Sequence, residues 1–102
     1  MRVCYLSGPI TGYPNAEETF KKAEEFLIRE GMYDEVINPF DIYHELKIKK
    51  GCEPTYDEIM EYDIAKLRTC SDIALMLGWE KSKGAKIELK YAIMNNLQVR
   101  LI

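Results

Sequence analysis

Glu88 occupies a helical position that does not suit a solvent-exposed charge. On a helical wheel with about 100° of rotation per residue, three lysines fall within about 60° of one another: Lys83, Lys86 and Lys90. They mark the solvent-exposed face of the helix. Glu88 lies roughly 160° or more from the centre of that lysine cluster, in the second turn. An exposed glutamate is the ordinary alternative, but this placement favours a carboxylate that faces a crevice.

Asp63 is a second carboxyl in an apolar setting. Its helix starts near Thr55, and five residues share one broad apolar face: Ile59, Met60, Ile64, Leu67 and Cys70. Asp63 falls within that face, in mid-helix, where it cannot act as an N-cap. Because an unpaired buried charge is costly, Asp63 either has a salt bridge or backbone partner, or has a raised pKa and can hold or donate a proton.

Two carboxyl groups at one site can break a bond at a sugar carbon. One attacks the anomeric carbon or stabilises its oxocarbenium-like transition state, while an acid protonates the leaving group. Ser82 and Gly84 open the helix that carries Glu88, and such helix starts bind phosphate. Ser82 is most often only an N-cap. Gly84 costs about 1 kcal/mol relative to Ala inside a helix, and close approach of a ligand would explain it.

The elements that position these residues alternate between strands and helices. Strands are predicted at 2–6, 36–37, 73–77 and 98–102, and helices at 16–30, 55–69 and 82–96. This order predicts an α/β fold, a three-layer αβα sandwich with a mainly parallel four-stranded sheet in the order 2-1-3-4, similar to flavodoxin and Rossmann folds. Residues 40–54 fit either a short helix or an exposed loop, and the sequence does not decide between them.

Ligands of such sheets bind outside the carboxyl ends of the strands, where the strand order reverses. The order 2-1-3-4 brings the loops 7–12 and 78–84 together there. The residues predicted to line this crevice are Ser7, Gly8, Pro9, Ile10, Gly78, Trp79, Ser82 and Gly84. Trp79 is either a core side chain or a platform for a base, and His44 is expected at the surface.

The composition of the 102 residues predicts a single domain, 1–102. A net charge of -3 argues against a nucleic-acid partner, and no apolar run suits a membrane span. Three cysteines without metal spacing and the absence of a leader predict a cytoplasmic protein with no metal and no cofactor. A second apolar arc on the last helix (Ile87, Tyr91, Met94) predicts a homodimer or higher homo-oligomer.

The sequence resembles the nucleoside 2-deoxyribosyltransferases and the related nucleoside 5′-monophosphate N-glycosidases. The matching segments are YLSGPITG at 5–12, YDI at 62–64, CSD at 70–72 and GWEKSKGAKIELKYA at 78–92. Together they span nearly the whole chain, and the S-x-G-x-x-x-E-x-x-x-A spacing is the most specific part. The chain is most similar to a small bacterial and phage-type branch of that superfamily.

The resemblance implies a role for each residue. Glu88 matches the nucleophile that forms a covalent glycosyl–enzyme intermediate at C1′, Asp63 the acid that assists departure of the base, and Tyr5 a residue that positions the nucleophile. Ser82 stands where the transferases carry an Asp for the 5′-hydroxyl and the glycosidases a Ser for the 5′-phosphate. Because a carboxylate would repel phosphate, the expected small-molecule partner is a nucleoside 5′-monophosphate.

Hydrolysis is expected rather than base transfer, because the chain stops at the fourth strand and lacks the C-terminal segment that completes a neighbouring site in the transferases. Thr11 stands where some glycosidases carry an Arg that assists phosphate binding. The alternative function is a non-catalytic sensor or sponge that binds a nucleotide or an ADP-ribose-type ligand in the same crevice. A third interpretation is an oligomeric scaffold with a vestigial site.

Overall fold

The computed structural model describes residues 1–102 and confirms the predicted α/β fold. Four strands alternate with four helices, and a short 3-10 turn at Trp79–Lys81 precedes the last helix. The strands are β1 Val3–Ser7, β2 Glu35–Ile37, β3 Asp72–Leu75 and β4 Gln98–Leu101. The helices are α1 Ala16–Glu30, α2 Pro39–Lys50, α3 Tyr56–Leu67 and α4 Lys83–Met94.

The strand order is β2-β1-β3-β4, as predicted, and every neighbouring pair is parallel. β1 runs through the middle of the sheet, where Cys4 pairs with Val36 on one side and with Asp72 on the other. All five residues of β1 are buried. A central parallel strand is covered on both faces, so its side chains alternate between two cores.

The two cores lie on opposite faces of the sheet. One contains the β-strand residues Tyr5, Ile73 and Leu75 together with Leu67 of α3 and Ala92 of α4. The other contains three strand residues, Met76 just after β3 and two residues of α1: Cys4, Leu6, Ala74, Met76, Phe20 and Leu27. Helices on both faces of one sheet make the predicted three-layer arrangement.

The segment that the sequence left undecided is helix α2. Asn38 caps it by accepting a hydrogen bond from the Phe40 N–H at 3.0 Å, and Pro39 takes the first helical position. Gly51 ends the helix with φ of 79°. Only three residues of α2 are buried: Pro39, Ile42 and Leu46. The sequence of α2 therefore shows no continuous apolar face from which a helix could be predicted. The capping residues Asn38 and Gly51 were the sequence signals that indicated a helix here.

Several boundaries differ from expectation by one or two residues, and the predicted cap of α3 is present. β3 ends at Leu75 rather than at Leu77, because the chain leaves the sheet and the Leu77 side chain is 91% exposed. β1 extends to Ser7. The capping box of α3 is present, with reciprocal hydrogen bonds between Thr55 and Glu58. None of the helices combines the length and the hydropathy needed to cross a lipid bilayer.

Candidate active site

Glu88 projects from α4 toward β1 and is only 6% exposed. The Tyr5 hydroxyl donates to its Oε2 at 2.6 Å, and the Ser7 hydroxyl donates to its Oε1 at 2.7 Å. Tyr5 and Ser7 are two residues apart on one strand, so their side chains leave the same face of the sheet. One strand therefore holds both oxygens of the carboxylate, and Glu88 lies away from solvent as the helical wheel predicted.

Asp63 lies in α3 and is 4% exposed. No salt bridge includes Asp63, and its Oδ1 is buried without a hydrogen-bond partner. Burial and the nearby charge of Glu88 raise the pKa of the Asp63 carboxyl to about 8. Of the alternatives left open by the sequence, the proton-holding carboxyl is therefore the one that this environment favours.

The hydrogen bonds favour Asp63 over Glu88 as the holder of a proton, because Glu88 accepts from two hydroxyls while Oδ1 of Asp63 has no partner. Burial raises the pKa of Glu88, and the hydrogen bonds from Tyr5 and Ser7 oppose that rise in part by stabilising the anion. Tyr5 remains a neutral donor, because burial and the charge of Glu88 raise its pKa well above the usual value. A neutral acid and a hydrogen-bonded carboxylate side by side form a pair in which one group can give a proton while the other acts as an anion.

The two glycine-bearing loops meet, as the strand order predicted. Gly78 has φ of 91°, and a Cβ atom added to it would lie 3.3 Å from Pro9 Cγ and 3.4 Å from the Tyr13 hydroxyl. A Cβ atom on Gly8 would lie 2.9 Å from Met76 Cβ, closer than real side chains pack. The β1–α1 loop thus lies directly against the β3–α4 loop, and glycine is needed at both points of closest approach.

Ser82 caps α4, because its hydroxyl accepts a hydrogen bond from the Ala85 N–H at 3.2 Å. The N–H groups of Lys83 and Gly84 donate to no protein acceptor, so they remain free for an anion. A Cβ atom on Gly84 would lie 3.7 Å from the Tyr56 hydroxyl, an ordinary contact distance. Packing therefore does not require glycine at position 84.

The other predicted site residues lie around this region with different exposures. Trp79 is half-buried and packs against the core cluster that contains Tyr5, which fits the core interpretation while leaving part of the ring accessible. Ile10 is exposed. His44 lies at the surface, with its Nε2 2.9 Å from Glu17.

The carboxyl pair lies outside two surface grooves that flank the helices. A groove of about 620 Å³ lies between α3 and α4, and another of about 440 Å³ lies beside α1 and β4. Neither is lined by Asp63 or Glu88. No three His, Cys, Asp or Glu side chains converge in an arrangement that could hold a metal ion.

Ser7 is the residue whose position the sequence interpretation described least well. It was expected to line the crevice, but it is fully buried and its hydroxyl is bonded to Glu88. The spacing of Tyr5 and Ser7 on a predicted strand is the signal that could have paired them. The partner carboxylate is 81 residues away along the chain, so the spacing alone could not identify it.

A family model described as a domain of unknown function (DUF4406) matches residues 2–101. No curated protein matches the chain.

The variant Asp63→Asn tests the proton assignment through stability. The folded-state pKa of Asp63 is raised to about 8 from 3.8, so its contribution is fully present below about pH 4 and is lost as the pH rises through 8. As the pH rises from about 4 to 8, we expect the free energy of unfolding of the wild type to fall relative to that of Asp63→Asn. The expected fall is on the order of a few kcal/mol. Urea unfolding at about pH 5, 7 and 9 measures this difference.

The matched control is Asp57→Asn, an exposed aspartate on the same helix. Its effect on the unfolding free energy should stay constant over the same pH range. A pH-independent difference between wild type and Asp63→Asn would contradict the assignment of the proton to Asp63.

Proposed function

We propose that this chain, which belongs to the family described as a domain of unknown function (DUF4406), cleaves the N-glycosidic bond of a nucleoside or deoxynucleoside 5′-monophosphate. The observation that carries this proposal is the buried pair of Asp63 and Glu88 at the meeting point of two glycine-bearing loops. The pair combines an acid that is protonated near neutral pH with a carboxylate held by hydroxyl donors.

In the first step, the Glu88 carboxylate attacks C1′ of the sugar and forms a glycosyl ester. The bond between C1′ and the base nitrogen breaks, and the electron pair leaves with the base. Asp63 transfers its proton to the departing base, which neutralises the charge that develops there. Tyr5 keeps the Glu88 side chain oriented toward the sugar through its bond to Oε2.

In the second step, water attacks C1′ and the ester bond to Glu88 breaks. The Asp63 carboxylate, now ionised, accepts a proton from that water, and the Glu88 carboxylate is restored. The products are the free base and the sugar 5′-phosphate. We favour hydrolysis over base transfer as the fate of this ester.

A phosphate group fits the start of α4. The free N–H groups of Lys83 and Gly84 and the positive end of the helix dipole attract an anion. Ser82 contributes a neutral hydroxyl, and no acidic residue lies in the first turn of this helix. These features support a monophosphate over an uncharged nucleoside.

The closed state of the carboxyl pair supports a second candidate, a protein that binds a nucleotide or an ADP-ribose-type ligand without turnover. Both carboxyls are less than one-tenth exposed, and neither lines the described grooves. In this case the ligand would occupy the crevice edge near Ser82 and Trp79 without reaching Glu88. The two candidates differ in whether a product forms.

The α3–α4 groove supports a homodimer. It is lined by residues of both helices, with Asp57 toward the start of α3 and Arg68 at its end. A twofold axis through the middle of the groove would place Asp57 of each copy opposite Arg68 of the other, an arrangement in which unlike charges meet. The net charge of -3 supports the absence of a nucleic-acid partner. The three free cysteines are the basis for proposing a cytoplasmic protein.

A panel of nucleoside and deoxynucleoside 5′-monophosphates, with the matching nucleosides, tests the enzymatic proposal by chromatographic detection of free base. We expect base release from at least one monophosphate and a loss of at least about 10³-fold in Glu88→Gln, because the nucleophile is removed. Glu80→Gln, a change of an exposed glutamate just before α4, should retain activity. Adding a second base to the reaction reveals any transfer.

If no nucleotide yields base, the enzymatic proposal is wrong. Stabilisation of the fold by a nucleotide without product would then support the binding-only candidate. That stabilisation should follow the ligand concentration and reach about 2.7 kcal/mol at 100 Kd.

The substitution Ser82→Asp tests phosphate recognition. Asp also caps helices, so α4 keeps its start, while the added charge repels a phosphate at the same place. We expect kcat/KM for the monophosphate to fall by about 10- to 100-fold relative to that for the nucleoside, a change of roughly 1.4–2.8 kcal/mol. Ser82→Asn, which is neutral and of similar size, should show a much smaller change. An equal loss with both substrates would contradict phosphate binding at Ser82.

Charge reversal tests the dimer. Arg68→Glu should convert a dimer into a monomer in light scattering, because it would face Asp57 of the second copy. Combining it with Asp57→Arg should restore the dimer, and Arg29→Glu on the remote helix α1 should leave the mass unchanged. A wild-type protein that is monomeric throughout would overturn this arrangement.

A further inference from the structure

Glu88 is a buried anion without a cationic partner. The groups that face it are the Tyr5 and Ser7 hydroxyls from β1 and the Asp63 carboxyl from α3, and no Lys, Arg or His is among them. Burying a charge is costly unless it is paired or hydrogen-bonded. Because no cation compensates Glu88, the hydroxyl donors are the groups that favour its ionised form.

Ser7 is rigidly placed for this task. It is the last residue of β1, it pairs with Leu75 of β3, and its carbonyl accepts the Met76 N–H at 2.8 Å. Its side chain has no exposed surface, and its single hydroxyl proton is engaged by Oε1 of Glu88. A buried hydroxyl with its only proton committed in this way has none left to donate to a ligand.

Tyr5 and Ser7 hold different oxygens of the same carboxylate. Two donors on separate oxygens restrict rotation about the last bond of the side chain, which a single donor would leave free. Ser7 lies closer than Tyr5 to the carboxyl end of β1, the edge at which ligands of parallel sheets bind. The oxygen that Ser7 holds is therefore the one nearer to the crevice.

We propose that Ser7 is a positioning residue that, together with Tyr5, holds the two oxygens of the Glu88 carboxylate and directs Oε1 toward the substrate. This inference rests on the proposed function, in which Glu88 is the nucleophile. It assigns to Ser7 an action through Glu88 rather than a contact with the ligand.

The direct test follows the titration of Glu88 by carbon-detected NMR on full-length protein labelled at the glutamate and aspartate carboxyl carbons. Removing the hydroxyl in Ser7→Ala should raise the apparent pKa at which Glu88 titrates by roughly one pH unit, because a donor to the anion is lost. Ser7→Thr keeps the hydroxyl and should return the titration close to that of wild type. An unchanged Glu88 titration in Ser7→Ala would overturn the proposal.

Ser71→Ala is the matched control. The Ser71 hydroxyl also donates to a buried carboxylate, Oδ1 of Asp72, at 2.7 Å, but at the opposite end of the strands. Its removal should leave the titration of Glu88 unchanged. If Ser7→Ala does not fold, Ser7→Cys, which has a similar volume and a weaker donor, should show a smaller shift in the same direction.

The kinetic test uses the same variants. The acid limb of the kcat/KM profile should move to higher pH in Ser7→Ala by the same amount as the NMR titration, and Ser7→Thr should restore it. A uniform loss at all pH values, with no shift of the limb, would show a structural effect only and would overturn the proposal. If the NMR titration shifts as expected but no variant releases base, the clamp on Glu88 stands and the proposed glycosidase function is wrong.

Discussion

The hydrogen bonds from the Tyr5 and Ser7 hydroxyls satisfy the carboxylate of Glu88, which the fold has removed from water. No cation lies among the groups that face it, so neutral donors alone compensate its desolvation. Such an arrangement works only if each donor is fixed, because a displaced hydroxyl would leave a buried anion unsatisfied. The geometry of β1, α3 and α4 around this carboxylate is therefore tightly constrained.

The architecture meets this constraint by placing both hydroxyls on the central strand. β1 is hydrogen-bonded on both sides and buried along its whole length, so its backbone is fixed by its neighbours. The close approach of Gly8 to Met76 and of Gly78 to Pro9 holds the two loops together above it. Because the pKa of Asp63 is raised, its contribution to the free energy of unfolding decreases as the pH rises. Such perturbed carboxyl groups are typical of functional sites.

The regular elements were predictable where local signals agreed with tertiary packing. α1 ends at Gly31, and α3 starts with its capping box at Thr55. The strand order could be derived because parallel strands need right-handed crossovers. α2 could not be assigned, since it buries few side chains and its stability depends on contacts that the local pattern does not contain. The end of β3 was also missed, because apolar Met76 and Leu77 continue the pattern after the chain has left the sheet.

From the sequence alone, the helical wheel determined that Glu88 and Asp63 lie on inward faces, because helical periodicity fixes the direction of a side chain relative to its neighbours. The loops at 7–12 and 78–84 could likewise be brought together from topology. Only the tertiary structure decided that Tyr5 and Ser7 divide the two oxygens of Glu88 between them and that Asp63 has no salt bridge. These are distances of a few ångströms between segments far apart in the chain, and they are set by how the layers pack rather than by any local pattern.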